Sequence, residues 1–68
     1  MQQNHTPQTR LLRMPTVCEI TGLSKSSITK RAAAGTFPAP VKIGERAIAW
    51  DAAKVQAWVA EKLRGGEQ

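Results

Sequence analysis

Apolar residues fall into short runs along the chain, separated by glycine, proline and polar residues. Leu11, Leu12 and Met14 lead into Pro15. Proline suits the first turn of a helix, because its missing N–H would have no intrahelical partner there. Val17 and Ile20 follow at helical spacing, Gly22 stops the run and Leu23 lies in the turn, so the pattern predicts a first helix over 15–21. Ser24 is a good N-cap, and 25–34 holds three alanines and no Gly or Pro, which predicts a second helix closed by Gly35. Ile28 and Ala32 give this helix only a narrow apolar stripe. Lys25, Ser26, Thr29 and Lys30 lie on its other faces, with Arg31 left open between the two.

Beyond Phe37 the pair Pro38 and Pro40 excludes helix and extends the chain toward Val41, Lys42 and Ile43. Gly44 and Glu45 predict a turn and 46–50 a return strand, with Ile48 and Trp50 on one face, so the segment reads as a small β-hairpin. Such a hairpin is marginal alone and must lie on the helices. Asp51 predicts the cap of a last helix over 52–64, where Val55, Trp58, Val59 and the stem of Lys62 form a core-facing stripe, with Leu63 close to it. Residues 1–10 and 65–68 read as flexible tails around one unit, 11–64, without internal repeats.

The expected fold class is therefore mainly α with a small β-hairpin, in the order helix, turn, helix, hairpin, helix. A chain of 68 residues must build it with little help. A domain of this size buries only about 60% of the surface its unfolded chain exposes. Cys18 is a single cysteine, expected as a small, largely buried hydrophobe, and His5 stands alone, so neither a disulfide nor a metal site is expected.

Ten Lys and Arg against five Asp and Glu give a net charge of +5, which favours polyanionic partners, nucleic acid before an anionic membrane surface. No apolar run approaches the about 20 residues of a membrane span, and the polar N-terminal segment lacks the apolar centre of a signal peptide. These features imply a cytoplasmic protein.

Two helices joined by about three residues with a glycine meet at a steep angle, and the second projects its polar face outward. An α-helix fits the major groove of B-DNA, and the first residues of such a second helix reach base edges. Here those are Lys25, Ser26 and Ser27, then Thr29 and Lys30 one turn on, flanked by Ser24 and Arg31. Lysine can donate to guanine O6 and N7, and serine or threonine hydroxyls serve a base or a phosphate. Lys42 and Arg46 flank the hairpin turn, as a wing on the backbone or in the minor groove. The bland alternatives are a solvated lysine face and an Arg46–Glu45 surface pair worth only about 0.5 kcal/mol.

The sequence resembles the AlpA-type prophage regulators, within the wider group of excisionase and MerR-like winged helix-turn-helix proteins. The resemblance rests on LRMP at 12–15, TGLS at 21–24, KSSI at 25–28, GTFPAPVKIG at 35–44, Arg46, Trp50 and VQAWVAE at 55–61. It implies binding of short DNA sites, either to switch transcription of integrase or excisionase genes or to bend DNA in an excision complex. Lys25, Ser26, Ser27, Thr29 and Lys30 would then face the major groove, and Lys42 with Arg46 would form the wing. Family members often carry an aromatic residue in place of Thr29 and an apolar one in place of Arg31, which leaves Arg31 either a basic contact or a stem laid over the core.

Catalysis is not expected, because Glu19, Glu45, Asp51, Glu61 and Glu67 are scattered and no nucleophile set or phosphate loop accompanies them. Trp50 and Trp58 lie on apolar stripes and read as core anchors rather than stacking platforms. No cofactor or small-molecule ligand is expected; the expected partner is double-stranded DNA. A phage packaging or protein-docking adaptor would need an exposed apolar patch, for which Ala33, Ala34, Phe37 and Ala39 are the candidates. The expected state is a monomer that binds neighbouring DNA sites cooperatively.

Overall fold

The computed structural model describes residues 10–65. Its elements run β1 Leu11–Leu12, α1 Met14–Thr21, α2 Lys25–Ala34, β2 Val41–Lys42, β3 Ile48–Asp51 and α3 Ala52–Gly65. The expected tails fall outside the described residues except for Arg10 and Gly65. The whole is mainly helical with a small antiparallel sheet, compatible with a winged helix-turn-helix.

Two glycines end the first two helices where the sequence predicts them. Gly22 takes the left-handed conformation, φ 76°, and its N–H donates to the Cys18 carbonyl at 2.8 Å. The Thr21 hydroxyl secures the turn, donating to the Val17 carbonyl and accepting from the Leu23 N–H. At the end of α2, Gly35 has φ 83°, its N–H reaches the Ala32 carbonyl and the Thr36 N–H reaches the Arg31 carbonyl at 2.9 Å. That pair of bonds is a Schellman closure.

The sheet has three strands in the order β1-β3-β2, where the sequence predicts only two. Leu11 pairs with Asp51 and Leu12 with Trp50, while Val41 pairs with Ala49 and Lys42 with Ile48. A two-residue strand carries no period to read, so β1 is invisible before the chain folds. The Arg10 carbonyl extends its ladder by accepting from the Ala52 N–H at 2.9 Å.

The hairpin also turns differently from the expectation. Ile43 N–H donates to the Ala47 carbonyl, leaving Gly44, Glu45 and Arg46 as the loop, and the return strand starts at Ile48. Two-residue hairpin turns of the favoured kinds need positive φ, and among the described glycines only Gly22 and Gly35 have it.

Leu12, Val17, Ile28, Phe37, Trp50, Ala52 and Val55 form the core, with Met14, Cys18, Ile20, Leu23 and Trp58 packed against it. Two expectations are corrected at its margins. Phe37, a candidate for an exposed patch, is only 4% exposed, whereas Leu63, placed near the α3 stripe, is 81% exposed. The reason for the second is geometric: burial on α3 fades after Trp58 and Val59, so its last turn overruns the core. Ile48 and Trp50 do share a face by strand alternation, but Ile48 sits toward the loop and is 42% exposed while Trp50 is 1% exposed.

The segment between α2 and β2 is pinned by two indoles. Trp50 Nε1 donates to the Pro38 carbonyl at 2.9 Å, and Trp58 Nε1 donates to the Thr36 carbonyl at 2.8 Å. Phe37 lies between the two acceptor residues, Thr36 and Pro38, its ring meeting Trp58 edge-on with centroids 4.9 Å apart. Asp51 caps α3 as predicted, its Oδ1 accepting from the Ala53 N–H at 2.9 Å.

Because the Trp50 bond is the more enclosed of the two, Trp50→Phe is expected to cost about 2 kcal/mol and Trp58→Phe about 1 kcal/mol. Urea unfolding of both variants measures the difference, and equal losses would mean that the indole N–H groups do not set the anchorage.

Candidate nucleic-acid interface

The polar face of α2 exists because the helix needs so little burial of its own. Only Ile28 is fully enclosed, and the termini supply the remaining anchorage. Ser24 holds an extended conformation and its Oγ accepts from the Ser27 N–H at 3.1 Å. The Ile28 N–H donates to the Ser24 carbonyl at 3.0 Å, so the first turn is closed by backbone and side chain together.

Lys25, Ser26, Thr29 and Lys30 are exposed, and Ser27 and Arg31 are half-buried. Their hydroxyls are not equivalent. Thr29 Oγ1 donates back to the Lys25 carbonyl at 2.9 Å, whereas Ser27 Oγ accepts from Arg31 Nε at 3.2 Å. The second bond lies at i, i+4 spacing and turns the guanidinium toward the start of the helix, the direction in which helical side chains lean. Ser24, Ser26, Ser27, Lys30 and Arg31 together line an open depression of about 400 Å³.

The sequence-derived set thus divides. Ser24, Ser26, Ser27, Lys30 and Arg31 meet around the depression; Lys25 and Thr29 lie outside its lining, joined to each other by the threonine back-bond. Lys42 is exposed on β2, and Arg46 is exposed in the loop that follows. The i, i+4 spacing of Ser27 and Arg31 was readable in the sequence, but the bond that settles the direction of Arg31 was not.

Electrostatically the site is uncompensated. Among the described residues the ion pair present is Arg64 with Glu61 on α3. Arg46 therefore makes no surface pair with Glu45, and Lys25, Lys30, Arg31 and Lys42 likewise face no carboxylate at ion-pair distance. No cluster of three His, Cys, Asp or Glu able to hold a metal occurs among the described residues, and no helix there is long and apolar enough to cross a membrane.

Exposed apolar side chains lie elsewhere, where the sequence did not place them. By pairing and alternation Leu11, Val41 and Ile43 stand on one face of the sheet with Ala47 and Ala49, opposite Leu12 and Trp50. Each of the three larger side chains is about half exposed. The face became legible only with the register of β1.

A short glycine turn between two helices, a second helix with a bare cationic face and a hairpin with Lys42 on its strand and Arg46 in its loop define a protein of helix-turn-helix class. Residues 10–63 match the family described as prophage CP4-57 regulatory protein (AlpA). The chain belongs to this family of phage regulatory proteins, which are generally DNA-binding and are not known as enzymes. It is also similar to a protein of Enterobacteria phage P4, uncharacterized protein ORF88, with 40% identity over 58 residues; the match covers 85% of this chain and 66% of the phage protein. No solved structure matches the chain.

The cap that opens the interface can be weighed directly. Ser24→Ala is expected to destabilise the fold by about 1 kcal/mol, as loss of an N-cap does, while Thr29→Ala, which removes only an exposed back-bond, stays within about 0.5 kcal/mol of wild type. Denaturant midpoints at constant slope check both.

Proposed function

We propose that the chain is a sequence-specific double-stranded-DNA-binding regulator of phage or prophage transcription. The start of α2 enters the major groove, where Lys25, Ser26, Ser27, Thr29 and Lys30 meet base edges and adjoining phosphates, and Ser24 and Arg31 flank them. Lys42 and Arg46 carry the wing to the backbone or the minor groove. The observation that supports this reading most is the cationic, hydroxyl-rich face of α2, capped at both ends and facing no carboxylate at ion-pair distance among the described residues. Cations held without partners on a rigid element are suited to phosphates, and lysine and hydroxyl groups at a helix start are suited to base edges.

In this reading residues 11–64 act as one binding unit in the bacterial cytoplasm, needing no cofactor, and the monomer fills neighbouring sites cooperatively. An excisionase of the same MerR-like winged group would use the same surface and would bend its sites as well. The family's description as regulatory favours the transcriptional role. A packaging or docking adaptor based on Ala33, Ala34, Phe37 and Ala39 loses its largest side chain, since Phe37 belongs to the core.

Titration against a duplex from the chain's own genomic neighbourhood and a scrambled duplex, over a salt series, tests the proposal. Wild type is expected to prefer the genomic duplex, Lys25→Ala to erode the preference, and Arg46→Ala to weaken binding to both while flattening the log K against log salt slope by about 0.9. Equal binding to both duplexes, indifferent to either substitution, would refute sequence-specific recognition. Circular-permutation gel shifts on attachment-site DNA separate the two roles, since an excisionase bends that DNA and a simple repressor need not.

A further inference from the structure

Arg31 is the residue whose role the sequence leaves open, and its surroundings give it one. Its Nε donates to Ser27 Oγ at 3.2 Å, and among the described residues no acceptor engages its terminal nitrogens. It is half-buried and lines the depression together with Ser24, Ser26, Ser27 and Lys30. We infer that Ser27 is a positioning residue, which aims the Arg31 guanidinium at a single backbone phosphodiester of duplex DNA seated in that depression. The inference rests on the proposed DNA-binding reading and narrows it: Ser27 acts through Arg31 rather than on a base.

Placement on the helix separates phosphate from base. Successive residues advance by about 100° around an α-helix, which sets Ser27 and Arg31 beside the buried Ile28 rather than at the centre of the outward face. Ser26, Lys30 and Ala33 occupy that centre. When a helix lies in the major groove, its outward centre faces the floor of base edges, and its flanks face the walls, which are phosphates.

The chemistry agrees. A guanidinium tied through Nε still offers its outer N–H groups, and arginine pairs with phosphate in a bidentate fork. The Ser24 oxygen accepts from the Ser27 N–H, which leaves its own O–H to donate into the depression, and Lys30 brings a second cation to the rim. Donors converging from several directions on a concavity fit a tetrahedral anion better than the flat edge of a base. The Ser27 bond also fixes in advance a long side chain that would otherwise lose its freedom on binding.

The test uses the full chain with the genomic and scrambled duplexes at matched salt. Arg31→Ala is expected to lower affinity for both duplexes by the same factor, about tenfold, and to flatten the salt slope by about 0.9. Arg31→Lys keeps the charge and so the slope, yet loses affinity because the fork is gone. Ser27→Ala is expected to lose about threefold in the wild-type background and nothing further beside Arg31→Ala, the non-additivity of two groups acting as one. Ser27→Thr, which restores a hydroxyl, recovers the loss. A purely structural role would not give this pattern, since alanine is the better helix former, and circular dichroism of each variant verifies the fold.

Loss confined to the genomic duplex on Arg31→Ala would overturn the phosphate assignment in favour of a base contact. Unchanged binding of Ser27→Ala beside a weakened Arg31→Ala would overturn the positioning role. Indifference to both, with Lys25→Ala and Arg46→Ala still impaired, would place the depression off the DNA while leaving the proposed function intact. Indifference to all four would sink both.

Discussion

Two indole N–H groups hold the segment that joins the second helix to the sheet, and the placement of the polar helix depends on them. A ten-residue helix is marginal in isolation, and α2 encloses only one side chain, Ile28, completely. Its own apolar stripe is too narrow to fix its rotation about its axis. Constraint at the ends compensates. Before it, Ser24 and the Gly22 turn tie it to α1; after it, the Schellman closure delivers Thr36, Phe37 and Pro38 to Trp58 and Trp50. Because the chain is held on both sides of α2, the helix can present an outward face free of apolar side chains larger than alanine.

Such an arrangement separates stability from recognition. The indoles, the core and the caps are internal, while the cations of α2 and of the wing enter no ion pair among the described residues. Unpaired surface cations cost little in water and keep their charge available to a polyanion. Lys62 shows the contrasting use of a cation, its Nζ 5.3 Å from the Trp58 centroid, where it covers an aromatic ring that also anchors the loop.

What could be read from the sequence was the punctuation. Gly22, Ser24, Gly35 and Asp51 each satisfy backbone groups through local geometry, so their roles follow from residue type and spacing, and with them come the helices between. What could not be read was set by partners distant in sequence. Leu11 and Leu12 become a strand only when β3 is there to pair with, Phe37 is drawn inside by Trp58, twenty-one positions on, and Leu63 is left outside because the core ends before the helix does. At the candidate interface, residue types identified the cations and hydroxyls, but the direction of Arg31 depended on a side-chain bond and the division of the set on helix rotation.

The third strand changes how the wing must be understood. A two-stranded hairpin is marginal in water, and Lys42 on its strand and Arg46 in its loop would sample many positions on such a hairpin alone. With β1 on its other edge, β3 becomes a central strand whose Trp50 is buried and whose end passes directly into the Asp51 cap of α3. β3 is held by β2 at Ile48 and Ala49 and by β1 at Trp50 and Asp51, while the loop at Gly44, Glu45 and Arg46 lies beyond the last ladder bond. In the proposed DNA-binding reading, a tip beyond the ladder suits a phosphate backbone whose path varies with sequence. In the same reading the Arg31 guanidinium, held through Nε by Ser27, would meet the opposite requirement, a fixed register for the helix in the groove, so the two basic elements would act by different physical means.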